Sequence, residues 1–156
     1  MDAALERLAA AGHIFTEVDG SPRSVRRRFV GVDPSGVPTE LVSGLERADT
    51  PYSSDHVQRG FVAEEQGLGH VVLSTRDKAA SVAFYTGLLG FRLSGHIVTE
   101  VYGHPVNLSF FHSNPRHHTV ALGGPLPHRL HHFMLEGNHV DDLGQCYARA
   151  TAGGNT

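Results

Sequence analysis

The sequence predicts an α+β fold built from βαβββ modules, one complete and two partial. Three observations carry that expectation. Hydropathy switches between helical and strand periods in the order αβββ, then βαβββ, then βα, so one unit recurs along the chain. Turn signals rich in Gly, Pro, Asp and Ser punctuate those periods. Histidines stand inside short apolar runs, His70 in Gly69-His70-Val71-Val72-Leu73 and His132 in Leu130-His131-His132-Phe133-Met134-Leu135, with His117 and His118 on another apparent strand.

Each element follows from its residues. Asp2–Ala11 spaces Leu and Ala at helical intervals and stops at Gly12. Ile14–Val18 alternates as a strand, and Val25–Val32 forms a second. Asp33-Pro34-Ser35-Gly36 is a turn, after which Glu40-Leu41-Val42 continues a third strand. Residues 45–66 lack an apolar period and read as a linker over the surface, anchored locally by Phe61 and Val62. Gly69–Ser74 is a buried strand, and Thr75-Arg76-Asp77 offers a helix N-cap. Lys78–Leu89 carries a helical apolar stripe closed by Gly90. Strands are expected at Phe91–Val101, Pro105–His112 and His118–Leu122. Pro125-Leu126-Pro127 separates these from a strand over Arg129–Leu135. A final helix is expected over Val140–Ala150, capped by Asn138 or Asp141. The domain reading is therefore 1–44, a linker 45–66, and 67–156.

Composition narrows the function. The 156 residues suffice for one ordinary domain or two small half-domains, and the net charge of −3 offers nothing for a nucleic-acid partner. The basic run Arg23–Arg28 alternates with Val and Ser and reads as a solvated strand face. Cys146 is the one cysteine, so neither a disulfide framework nor a thiolate cluster is expected. No apolar stretch has the length of a membrane span and the N-terminus is unlike a signal peptide, so a cytoplasmic protein is expected. Twelve histidines are many for this length, and His with Asp or Glu suits iron, manganese or zinc. Because side chains alternate along a strand, His117 and His131 are expected to face away from His118 and His132. Glu136 shares the face of His132 but lies about 13 Å further along a straight strand, too far to share an ion. Asp141 and Asp142 read as charges at a helix N-terminus. Phe84, Tyr85, Phe91, Phe110 and Phe111 read mostly as core.

Four segments carry a family resemblance: Glu65–Asp77 (EQGLGHVVLSTRD), Ala83–Ser94 (AFYTGLLGFRLS), Asn114–Leu122 (NPRHHTVAL), and His131–Glu136 (HHFMLE) followed by Asp141–Gly144 (DDLG). Residues 65–150 resemble the second domain of the type I extradiol ring-cleaving dioxygenases, in the dihydroxybiphenyl and steroid-catechol group of the vicinal oxygen chelate superfamily. Residues 1–44 resemble the last part of the first domain. The resemblance implies that His70 and His132 ligate a non-haem Fe(II), with Mn(II) as the alternative metal. It makes His118 an acid/base residue near bound oxygen and substrate; Asn114 and Arg116 read as substrate-binding residues at the pocket edge because a polar loop enters a strand over Asn114–His118. The substrates implied are a catechol-type aromatic and dioxygen. Two histidines and a carboxylate on Fe(II) leave open positions for both.

The resemblance also implies a protein nearly twice this length, so the chain reads as truncated at both ends. The family's glutamate ligand belongs to strands that this chain does not contain. Glu40 follows Pro34-Ser35-Gly36 at the spacing of that glutamate and is its counterpart in the first domain. Pairing of residues 12–44 with the strand Arg129–Leu135, within one chain or between two, would bring Glu40 to His70 and His132 as a metal ligand. Unpaired sheet edges lead us to expect a homo-oligomer. A non-catalytic binding module of the same fold and an inactive fragment are the alternative expectations.

Overall fold

The structure is a computed structural model that describes residues 1–67, 69–124 and 128–154. The expected separator Pro125–Pro127 lies outside the described residues.

Helix α1 spans Asp2–Ala10. Strands β1 (Thr16–Val18), β2 (Val25–Val32) and β3 (Pro38–Leu45) form an antiparallel three-stranded sheet in that order. Strands β4 (Gly69–Ser74), β5 (Arg92–Val101), β6 (His104–His112), β7 (Val120–Gly123) and β8 (Leu130–Leu135) form a five-stranded sheet, ordered β5-β6-β7-β4-β8. Strand β4 runs parallel to β7 and antiparallel to β8. The complete unit β4-α2-β5-β6-β7 is the expected βαβββ module, and β8 with helix α3 (Val140–Ala152) begins another.

Helix α2 is α-helical over Lys78–Ala83 and widens to a π turn over Phe84–Leu88, where the Leu89 amide donates to the Phe84 carbonyl. The sequence pattern does not announce this change of winding. Asp77 caps α2 by accepting from the Ala80 amide at 2.9 Å. Helix α3 is capped by His139, whose Nδ1 accepts from the Asp141 amide at 3.3 Å, rather than by Asn138 or Asp141. Asp141 and Asp142 stand in the first turn of α3 as expected, and Asp142 is in addition buried and accepts from the Gln58 and Arg59 amides, so it ties the linker to α3. Phe61 bridges Gly137 and the Val62 amide donates to the Glu136 carbonyl, as the anchor expectation requires.

The core lies on one face of the five-stranded sheet. Leu73, Phe111, Val120 and Leu122 from β4, β6 and β7 meet Phe84 and Tyr85 of the α2 region and Leu8 of α1. Phe15, Val37 and Leu41 from the first segment pack against the same cluster, so the segment before the linker and the segment after it share one apolar interior. A buried polar seam reinforces that junction. The Tyr85 hydroxyl donates to Asp33 at 3.2 Å, and Ser35 and Ser81 hydroxyls pair at 3.2 Å. Burial pushes the Tyr85 hydroxyl pKa well above its ordinary value, and the Asp33 carboxylate adds to the shift.

The pairing expected between residues 12–44 and Arg129–Leu135 is absent within the chain. Strand β3 pairs with β2, and β8 pairs with β4.

Candidate metal and substrate site

The opposite face of the five-stranded sheet carries the histidines. Period-two alternation sends Val71 and Leu73 towards the core and His70 and Val72 to the other face. Gly69, immediately before His70, has φ +150, and a Cβ there would lie 1.7 Å from the Met134 carbonyl oxygen. Only glycine lets β8 approach β4 this closely, and that approach sets the distance between the strands bearing His70 and His132. Register then aligns Phe110, Ala121, Val72 and His132 in one row across β6, β7, β4 and β8.

The rings meet. His70 and His132 centroids are 5.6 Å apart with planes at 72°. His70 and His118 centroids are 4.3 Å apart, stacked at 29°. These two geometries have different chemical consequences. Imidazoles bound to one ion through metal–nitrogen bonds of roughly 2.1 Å keep their centroids within about 6.5 Å, and the His70–His132 separation lies inside that bound. In stacked rings the in-plane lone pairs run side by side rather than converging, so His118 flanks the pair instead of completing it. Burial holds the His70 imidazole below its ordinary pKa, and electrostatic repulsion from His132 and Arg116 lowers it further. His118 is lowered by burial first, then by His70, His117 and His132. Neutral rings are what metal ligation and proton acceptance require.

A cavity of about 390 Å³ opens over these rings, lined by His70, His118, His131 and His132 and walled by Val72, Val106, Leu108 and Phe110. Phe110 sets its ring edge against His118 at 4.8 Å. Phe110 therefore faces the cavity, while Phe84, Tyr85 and Phe111 are core as expected.

His131 corrects the alternation argument. The register of β8 shifts at Val72/Leu73, where Leu73 pairs with Leu130 and His131 is the extra residue. The His131 ring consequently reaches the same cavity, with its Nδ1 2.7 Å from Nδ1 of His132. His117 also lies beside His118, Nδ1 to Nδ1 at 3.1 Å, because β7 begins only at Val120 and the residues before it are loop, where alternation has no force.

The remaining expected site residues lie elsewhere or are engaged. Glu40 is held by Arg23 at 3.1 Å and by Arg28 at 2.6 Å on the three-stranded sheet, and these guanidiniums pull its pKa down to about 2. It is not brought to His70 and His132 within the chain. The Asn114 side-chain amide donates to the Gln66 carbonyl at 2.8 Å and Arg116 reaches Glu136 at 2.5 Å, while Asn114 and Arg116 each edge a separate recess that His70 also lines. Among the described residues, no group of three or more His, Cys, Asp or Glu is arranged to hold a metal ion. No helix among them is long and apolar enough to cross a membrane.

Residues 67–156 match the family model of the Glyoxalase/Bleomycin resistance protein/Dioxygenase superfamily. The chain belongs to this superfamily. Relatives within it include a biphenyl-2,3-diol 1,2-dioxygenase of Pseudomonas sp. strain KKS102, 40% identical over 97% of this chain and 55% of its own length. An iron-dependent extradiol dioxygenase of Rhodococcus jostii strain RHA1 is 40% identical over 93% of this chain and 52% of its own. The crystal structure of a halotolerant catechol dioxygenase superposes with a TM-score of 0.84 at 32% identity, over 96% of this chain and 50% of that one. The chain thus spans about half the length of the relatives it matches, and its α+β modules are those of the superfamily.

Proposed function

We propose that this chain carries the metal-binding half of an Fe(II)-dependent extradiol dioxygenase, which opens the ring of a catechol beside its hydroxyls. The carrying observation is the placement of His70, His132 and His118 around one cavity whose far wall is apolar. The similarity to dioxygenases of biphenyl-2,3-diol and to an iron-dependent extradiol enzyme supports the same reading. His70 and His132 would hold the metal, Fe(II) or alternatively Mn(II), and the metal would supply adjoining open positions for the diol and for dioxygen.

The chain's own residues supply the rest. His132 has Nδ1 directed at His131, which leaves its Nε2 as the ligating atom and fixes its ring orientation. His118 has Nδ1 directed at His117, so its Nε2 is free to accept a proton from a catechol hydroxyl. Burial lowers the His118 pKa, which favours the neutral ring. Val106, Leu108 and Phe110 exclude water and receive the aromatic ring and its substituents. The exposed edge of β8 supports self-association as the oligomeric expectation.

Anaerobic loading with Fe(II), followed by biphenyl-2,3-diol and air, tests this. A yellow ring-opened product is expected from the loaded chain and none from a His132→Ala variant. A loaded wild-type chain that forms no product sinks the proposal. The lack of a third donor at the His70–His132 pair among the described residues favours one other reading, a catechol-binding module without turnover. Thermal stabilisation by the diol with no product would select it.

A further inference from the structure

We propose that Arg116 is a positioning residue whose guanidinium locks together the three chain segments that carry His70, His118 and His132. The inference deepens the reading of those imidazoles as one site and rests on it.

The side chain of Arg116 is 8% exposed and its donors are distributed over separate segments. Nε donates to the Gln66 carbonyl at 2.9 Å, and one terminal nitrogen donates to Glu136 at 2.5 Å. The other terminal nitrogen lies 3.4 Å from the Val62 carbonyl and 3.5 Å from that of Gly67. Gln66 and Gly67 lead directly into β4 and His70. Glu136 directly follows β8, four residues beyond His132. Arg116 itself precedes His117 and His118 in the loop before β7. One planar cation thus touches the entry of one histidine strand, the exit of another, and belongs to the loop of the third.

Neighbouring contacts converge on the same knot. The Asn114 side chain donates to the Gln66 carbonyl and accepts from the Arg116 amide at 3.1 Å, so the loop is folded to aim Arg116 inward. Two of the carbonyls it meets, those of Gln66 and Gly67, stand at the C-terminal end of the 3₁₀ turn Glu64–Gln66, where backbone acceptors lack intrahelical donors, and the third, Val62, lies just before the turn. A lysine in its place keeps the charge and loses the fork, since an ammonium cannot present fixed donors to a carboxylate and several carbonyls together. The stacking of His118 on His70 depends on the loop and β4 staying in this register.

The test uses the full chain with ¹³C-labelled histidine. Ring-proton NOEs between His70 and His118 are recorded well below each variant's melting midpoint, and Co(II) binding is followed by visible absorption. Arg116→Lys is expected to keep its far-UV circular dichroism, lose the ring–ring NOE, and bind Co(II) roughly 10–100-fold more weakly. Glu136→Ala, at a half-exposed position that folding tolerates, is expected to move both readouts the same way by a smaller factor. It decides the question alone if the lysine variant does not fold. A retained NOE with unchanged Co(II) affinity overturns the positioning role. If the wild-type chain binds no Co(II), the metal reading fails, while the NOE comparison still judges Arg116.

Discussion

The two sheets of this protein treat their polar side chains in opposite ways. On the three-stranded sheet, Glu40 is clasped by Arg23 and Arg28, and its charge is neutralised by the protein itself. At the five-stranded sheet, His70, His118 and His132 gather with no carboxylate joining them among the described residues, and burial lowers the pKa of His70 and His118. A ligand-binding group must have lone pairs that the fold leaves unclaimed. The second sheet leaves them so, and the first does not.

The largest expected effect breaks the second sheet's chemistry while leaving its structure alone. His118→Asn is expected to lower ring cleavage by about 10²–10⁴-fold, the range for losing a positioned acid/base, with Fe(II) retention unchanged. Oxygen uptake with metal content measured on the same sample checks it, and a parallel loss of iron would refute the assignment. Next in size, His132→Ala is expected to weaken Co(II) binding by more than the roughly 10–100-fold typical of a change beyond the ligands, as read by equilibrium dialysis. Wild-type affinity in this variant would remove His132 from the site.

The smallest effect sharpens the contrast from the other side. Because the folded pKa of Glu40 is depressed from 4.5 to about 2, its pairing with Arg23 and Arg28 stabilises the fold above pH 4.5 and that contribution fades as pH falls towards 2. Glu40→Gln is expected to flatten that part of an acid-unfolding profile and to leave bound metal unaltered. Metal lost together with the Glu40 carboxylate would show that a second copy delivers it to the histidines.

Much of this was legible beforehand. Periodicity located the eight strands and three α-helices among the described residues, though not the 3₁₀ turns or the π turn, because alternation on β4 and β6 reflects a sheet with one packed face. Local punctuation also placed the linker anchor at Phe61 and Val62. Failures arose where one residue depends on its neighbour across the sheet. His131 was assigned to the wrong side because a bulge is a property of the β4–β8 register and leaves no mark in β8 alone. Glu40 looked available because Arg23 and Arg28 read as a solvated face. The β2–β3 register, which aligns Arg28 with Val42 and Val30 with Glu40, makes Arg28 and Glu40 diagonal neighbours. The ties that Arg116 makes are likewise invisible in the sequence, since its partners Gln66 and Glu136 are 50 and 20 residues away and become neighbours only in the folded chain.

The seam in which Asp33 meets Tyr85 and Ser35 meets Ser81 has a practical corollary. Proteolytic nicking within residues 45–66 should yield two fragments that co-elute on a sizing column, since parting them would expose Leu8, Phe84 and a buried carboxylate together. The repeating unit seen along the chain is therefore expected to express poorly when cut free of its neighbour. Dissection of this protein has to cut around that joint rather than at the linker.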